Sequence, residues 1–214
     1  MKITTQTMED FLPYQGEKYI APHKAGELQE LMERFKYDGQ QARAAFQELS
    51  KQVDAQLDHF QMQRVSGWMN QAQIGRPHFW CFFQHEADTK ADPTFAIRLL
   101  TIDGQLGISG EVSFIERVVV PDTVVRQNQV LDIPITAPLY YLVQENGESH
   151  REAGTETTRQ NLQKKIAEGI TRKVLVKYDI PRLADFTSDD ALVAELLTGF
   201  KLLAPFYEAT KSNR

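Results

Sequence analysis

FAIRLLTIDGQLGISGEVSF, residues 95–114, is the stretch that decides the fold class of this chain. An Asp-Gly pair at 103–104 separates one apolar run, 95–102, from a second, 106–119. Asp-Gly accepts the positive φ angles of a two-residue hairpin turn. In the second run apolar residues alternate with glycine or polar residues, as they do where one face of a strand covers a core. The stretch therefore predicts an antiparallel hairpin.

Three further segments have the composition of strands. They are residues 78–84 (HFWCFFQ), 139–144 (LYYLVQ) and 172–180 (RKVLVKYDI). Together with the hairpin they predict a mainly antiparallel sheet of about five strands. The polar segment 145–154, which contains two glycines, is expected to be a loop.

Helical periodicity dominates residues 24–70. Apolar residues at helical spacing begin at Ala25, are interrupted at Asp38-Gly39, and continue from Ala42 to about Gly67. We therefore expect a helical hairpin whose apolar stripe is buried against itself or against the sheet. The stripe comprises Leu28, Leu31, Phe35, Phe46, Leu49, Val53 and Leu57.

Shorter helices are expected around the sheet. One follows Pro121, one is capped by Thr155 or Thr157 and ends at Gly169, and the last begins after Ser188 and packs on the core before Pro205.

The elements together predict an α+β fold in a single domain, 1–214. Its segments are an irregular N-terminal arm over 1–23, the helical hairpin over 24–70, and a sheet with intervening and terminal C-terminal helices over 76–214.

Composition and charge limit the class of protein. The hydrophobic fraction of 42% and charged fraction of 25% suit a folded domain rather than a disordered one. No segment has the apolar length of a membrane span, and a single cysteine, Cys81, cannot form an internal disulfide, so we expect a soluble cytoplasmic protein. The net charge of −5 disfavours nucleic acid and membranes as partners. A small ligand or a protein partner is expected instead, and homo-oligomerisation stays open.

Signature motifs of cofactor and nucleophile chemistry are absent from the sequence. It contains no GxxxxGK[ST], no GxGxxG after a strand, no GxSxG and no paired CxxC. The nucleotide-hydrolase, dinucleotide-binding, serine-hydrolase and zinc-ribbon classes therefore lose their usual support, and neither a cofactor nor a metal is expected.

The sharpest candidate for acid–base or metal chemistry is the cluster of His85, Glu86 and Asp88. Thr89 stands where a helical zinc motif would need its second histidine. The alternative is a solvated polar loop between strands.

The aromatic strand supplies a second candidate. His78 and Trp80 are two residues apart, so they share a strand face and could line a ligand pocket with Arg98. The alternative for His78 is a hydrogen-bonded core or rim residue. Glu111 and Arg98 either line a polar cleft or pair across neighbouring strands.

Basic residues are concentrated in the segment 159–182, where the local charge reverses the global sign. The candidates for an anion-binding patch are Arg159, Lys164, Lys165, Arg172, Lys173 and Lys177. The alternative is a solvated face that balances the acidic remainder of the chain.

The leading functional hypothesis is a non-catalytic interaction or small-ligand-binding protein, because the chain has an ordinary core, an aromatic strand and no complete catalytic constellation. The alternative is a hydrolase or a nucleic-acid-processing enzyme that uses His78 or His85 with Glu86, Asp88 or Glu111.

Overall fold

The structure is a computed structural model that describes residues 5–102, 104–115 and 121–211. Its helices are α1 (Thr5–Glu9), α2 (Gln29–Asp54), α3 (Thr123–Asn128), α4 (Glu156–Ala167) and α5 (Asp189–Thr210). Its strands are β1 (Phe60–Met62), β2 (Trp80–His85), β3 (Thr94–Ile102), β4 (Gln105–Ser113), β5 (Tyr140–Glu145), β6 (Glu148–Ala153) and β7 (Thr171–Ile180). None of the helices in these described ranges combines the length and the apolar character needed to cross a membrane.

The strands form one sheet in the order β1-β2-β3-β4-β7-β5-β6, and all neighbouring pairs are antiparallel. Helices combined with an antiparallel sheet confirm the α+β class. The predicted number of strands is wrong, because the described part of the chain contains seven. The two additional strands, β1 and β6, lie in the predicted helical hairpin and in the predicted loop.

The hairpin that decided the fold class is confirmed by its pairing. β3 and β4 are in register from Thr94 opposite Ser113 to Ile102 opposite Gln105. Gly104 has the positive φ of 73° that the turn requires. Asp103, and residues 116–119 of the predicted second strand, lie outside the described residues.

The predicted helical hairpin over 24–70 is wrong. One continuous helix of 26 residues, α2, runs through Gly39. A Cβ at Gly39 would lie 2.8 Å from the Trp68 ring, so this glycine allows close packing and does not end the helix. Leu28 and Leu31, expected to be buried, are 48% and 47% exposed.

The chain beyond α2 forms a strand instead of a second helix. α2 ends at Asp54, and one carboxylate oxygen of Asp54 accepts a hydrogen bond of 2.6 Å from the Met62 backbone amide. His59 has a φ of 64°, and Phe60 begins β1 directly after it. The change of direction explains why one apolar stripe in the sequence is divided between a helix and a strand.

The segment 145–154 is a hairpin and not a loop. Asn146 and Gly147 have φ angles of 51° and 85° and join β5 to β6 by a two-residue turn. β6 pairs only with β5 among the described strands, and five of its six residues are exposed. A strand exposed in this way needs no apolar alternation, so its sequence resembles that of a loop.

The N-terminal arm and the last helix contain more regular structure than expected. The arm contains the short helix α1, and Lys18 forms a β-bridge with Ile74. α5 continues through Pro205 to Thr210, although we expected this helix to stop before the proline.

α2 and α5 cover one face of the sheet. Phe46 of α2 stacks on Phe79 with ring centroids 5.9 Å apart, and Phe200 of α5 stacks on Phe95 at 4.8 Å. Successive side chains of a strand point to opposite faces, so the intervening residues lie on the other side of the sheet. We call that side the polar face. It carries Trp80, Phe82, Arg98, Ser109, Glu111, Tyr140, Lys177 and Asp179.

Phe46→Ala should lower the free energy of unfolding by about 3–5 kcal/mol, because Phe46 is fully buried and its removal leaves a cavity. Chemical denaturation followed by circular dichroism measures this value. Tyr37→Ala is the control on the same helix, since Tyr37 is 62% exposed. Equal stability of the two variants would contradict the described orientation of α2.

Candidate functional site

Three charged side chains from adjacent strands meet on the polar face. Glu111 of β4 lies opposite Lys177 of β7 in the strand register. The Lys177 Nζ lies 3.0 Å from the Glu111 Oε2, and an Arg98 Nη2 of β3 lies 3.1 Å from the Oε1. Each carboxylate oxygen is therefore held by one cation, and this buried carboxylate ties three strands together.

The charge of Glu111 is fixed by these neighbours. Burial alone would raise the pKa of its carboxyl group, but Lys177 and Arg98 outweigh burial and lower the pKa to about 2. The group is therefore ionised throughout the physiological pH range. The sequence left two interpretations of Glu111 open, a polar cleft with an acid–base role or pairing across neighbouring strands. This geometry favours pairing across the strands.

The polar network continues towards the β6 edge. The Tyr140 hydroxyl donates to Asp179 at 2.9 Å, and Arg151 donates to the other oxygen of Asp179 at 2.8 Å. The Arg151 guanidinium also lies 3.5 Å from the centroid of the Tyr140 ring. Burial and Asp179 raise the pKa of the Tyr140 hydroxyl, so this hydroxyl stays protonated and donates a hydrogen bond.

Towards β2 the network reaches an aromatic side chain. The guanidinium carbons of Arg76 and Arg98 lie 4.6 and 5.3 Å from the Trp80 ring centroid. The His78 ring lies 5.9 Å from the Trp80 ring. Burial, followed by the charge of Arg98, lowers the pKa of His78 to about 4, so its imidazole is neutral at pH 7. His78 and Arg98 thus both lie near the Trp80 ring, but of the three predicted pocket residues Trp80 lines the groove described next, whereas His78 and Arg98 do not.

A groove of about 500 Å³ opens beside Trp80. We call it the basic groove. Its lining residues are Gln63, Arg64, Val65, Ser66, Gly67, Arg76, Trp80, Phe82, Lys90 and Ile115. The described lining includes three cationic side chains and no carboxylate. Arg64 and Lys90 form no ion pair with any carboxylate of the described residues.

Hydrogen bonds hold one wall of the basic groove in place. Arg43, which projects from α2, donates to the backbone carbonyls of Val65 and Ser66 at 3.1 and 3.0 Å. The Trp80 backbone amide donates to the Ser66 Oγ at 3.1 Å, and the Ser66 amide donates back to the Trp80 carbonyl. The segment that carries Arg64 is therefore fixed to both α2 and β2.

The segment that carries Lys90 is held by a buried arginine. Arg126 of α3 donates to the Ala91 carbonyl at 3.0 Å, to Asp92 at 2.9 Å and to the Thr210 carbonyl at 3.2 Å. These bonds connect the loop after β2 to α3 and to the end of α5. Lys90 lies next to this anchored pair of residues, so its backbone has a defined position.

The cationic residues of the groove were not predicted from the sequence. Arg64 lies where a helix was expected, and Arg76 and Lys90 lie in two other segments of the chain. No local motif links the three, because the pairing of β2 and the hydrogen bonds of Arg43 and Arg126 to distant backbone carbonyls bring these segments together.

The predicted cluster of His85, Glu86 and Asp88 does not form one site. The His85 ring packs edge-on against Phe60, with the ring centroids 5.0 Å apart. Asp88 accepts a hydrogen bond from the Tyr207 hydroxyl and lies 3.4 Å from the Lys211 ammonium, whereas Glu86 lies 3.5 Å from a Gln61 amide nitrogen. In residues 5–102, 104–115 and 121–211, no group of three or more His, Cys, Asp or Glu side chains is arranged to hold a metal ion.

The cations of the predicted anion-binding patch are dispersed. Four of them lie beside carboxylates, in the pairs Arg159–Glu156, Lys164–Glu168, Lys165–Glu145 and Lys177–Glu111. Arg172 donates to Gln144 at 2.6 Å, and Arg172 and Lys173 line a smaller groove of about 280 Å³. These positions offer less uncompensated positive charge than the sequence alone suggested.

Comparison with protein-family models, with curated proteins and with solved structures finds no match to this chain.

Glu111→Gln should lower the free energy of unfolding at neutral pH by about 3–5 kcal/mol, because it leaves Arg98 and Lys177 without their buried counter-charge. The folded-state pKa of Glu111 lies below the unfolded value of about 4.3. The contribution of the carboxylate is therefore complete above the unfolded pKa and is lost as the pH falls towards about 2.

Urea denaturation at neutral pH and at about pH 2.5 measures the effect. The difference between the wild type and Glu111→Gln should shrink at the lower pH. Glu148→Gln, at an exposed position of β6, is the control and should change little at either pH. A difference that is the same at both values would contradict the assigned charge state.

Proposed function

We propose that this protein binds a small anionic molecule in the basic groove and acts as a binding protein without catalysing a reaction. The observation that carries the proposal is the groove beside Trp80, whose described lining has three cationic side chains and no carboxylate.

The charge of the groove supports an anionic ligand. The whole chain has a net charge of −5, so three cations around one concave surface oppose the global balance. Arg64 and Lys90 are exposed and form no ion pair with a described carboxylate, so both side chains are available to a bound anion.

The size and the rigidity of the groove support a small molecule. A volume of about 500 Å³ lies in the range of small-ligand sites. Arg43 and Arg126 hold the two walls through backbone carbonyls, so little ordering would be needed on binding.

The arrangement of the titratable groups supports binding over catalysis. Glu111 is held by two cations, while His85 and Asp88 are engaged by separate partners. The Cys81 thiol is fully buried, and burial raises its pKa to about 12, so it is a poor nucleophile. A single buried thiol also suits a reducing compartment, and we propose the cytoplasm as the location.

Pyrophosphate should bind to the protein at low ionic strength, and the affinity should fall as sodium chloride is added. Isothermal titration calorimetry measures both effects. The double variant Arg64→Ala/Lys90→Ala should lose at least about tenfold in affinity, since charge-assisted hydrogen bonds contribute about 1.5–3 kcal/mol each.

The matched control removes one arginine and one lysine elsewhere. In Arg34→Ala/Lys164→Ala both side chains are exposed, at 76% and 77%, and lie on α2 and α4. The control should keep wild-type affinity. The proposal fails if pyrophosphate does not bind at low salt, or if both double variants bind alike.

A further inference from the structure

We infer that the ligand of the basic groove is a phosphate monoester with a flat ring, of the nucleoside monophosphate class. This inference rests on the proposed function and adds to it the chemistry of the ligand.

The cations point to a phosphate. A phosphate monoester carries about two negative charges near neutral pH, whereas a carboxylate carries one. Arginine binds oxyanions through parallel N–H groups, and lysine supplies a mobile point charge. Arg64 and Lys90, which form no ion pair with the described carboxylates, are suited to contact the phosphoryl oxygens.

The volume of the basic groove leaves room for a group beyond the phosphate. An inorganic oxyanion would occupy only a small part of a groove of about 500 Å³. The groove also has an apolar lining, which consists of Val65, Trp80, Phe82 and Ile115. Of these four side chains, Trp80 and Ile115 are partly exposed, so a ligand with an apolar part would cover apolar surface that otherwise contacts water.

The apolar part of the groove is built from rings. Trp80 and Phe82 are two residues apart on β2 and therefore face the groove side by side. The Arg76 guanidinium lies 4.6 Å from the centroid of the Trp80 ring. This combination of aromatic rings and a planar cation favours a flat, polarizable ligand group over an aliphatic chain.

The distribution of charge favours a mononucleotide over a nucleic-acid strand. A strand needs several phosphate-binding positions in series. In the basic segment 159–182, Arg159, Lys165 and Lys177 are paired with carboxylates of the protein itself. Few cations of that segment are therefore available to bind the further phosphates of a strand. The net charge of −5 would also repel those phosphates.

The test compares compounds that each contain one part of the inferred ligand, either the phosphate or the ring. We would titrate the wild-type protein with adenosine 5′-monophosphate, ribose 5-phosphate, adenosine and pyrophosphate, using calorimetry and tryptophan fluorescence. The nucleotide should bind about tenfold more tightly than ribose 5-phosphate, within the range for stacking of one base on an aromatic side chain. Adenosine alone should bind most weakly, and Arg64→Ala/Lys90→Ala should weaken both phosphate esters.

A ring variant separates stacking from charge. Trp80→Leu should lower the affinity for the nucleotide about tenfold more than the affinity for ribose 5-phosphate, while Tyr37→Leu, at an exposed ring on α2, should change neither. The comparison of ligands on the wild type keeps the inference testable if Trp80→Leu does not fold.

The outcomes are distinguishable. Equal affinities for the nucleotide and ribose 5-phosphate would overturn the inference that the ligand carries a flat ring. If pyrophosphate still binds, the proposed anion binding remains supported. Tighter binding of a phosphotyrosine peptide or of an eight-nucleotide single strand than of the nucleotide would overturn the assigned class. Failure of every phosphate compound to bind would overturn the proposed function together with this inference.

Discussion

The carboxylate of Glu111 has a cation on each oxygen and is 2% exposed, and the geometry of the polar face depends on this arrangement. A buried lysine without a counter-charge would be strongly unfavourable, so Glu111 makes the buried position of Lys177 possible. Glu111 also accepts a hydrogen bond from Arg98, whose side chain is partly exposed. Arg98 in turn lies against Trp80, which also lies against Arg76. Arg98 therefore connects the central ion pairs to the Trp80 side of the basic groove, even though Glu111 does not line the groove.

The parts of the fold that could be predicted are those in which one local signal was sufficient. Asp103-Gly104 between two apolar runs predicted the pairing of β3 with β4. Asn146-Gly147 is an equally good turn signal, but the segment after it has no apolar alternation because β6 is largely exposed. At Gly39 the local signal was misleading, since the preference of glycine for turns yielded to its close packing against Trp68.

The sequence predicted those parts of the candidate site that lie near each other in the chain, but not the residues that come from distant segments. His78 precedes Trp80, the first residue of β2, by two positions and their rings lie 5.9 Å apart, while Arg98 is opposite Trp80 in the register of β2 with β3. Arg64 and Lys90 reach the same groove from a segment tied to α2 and from a loop tied to α3 and α5. Their proximity depends on long-range hydrogen bonds to backbone carbonyls, and such bonds leave no periodicity in a sequence.

The two sides of the sheet have different physical roles. Residues facing α2 and α5 are almost all apolar and form one cluster, so the helix-covered side can provide most of the stability. The polar face contains ion pairs, for which the cost of desolvation offsets much of the electrostatic gain. No described carboxylate balances Arg64 or Lys90, and both side chains are exposed, so solvent screens their charges. Since a ligand that binds only the folded state adds its binding free energy to stability, an anion bound in the basic groove would stabilise the fold.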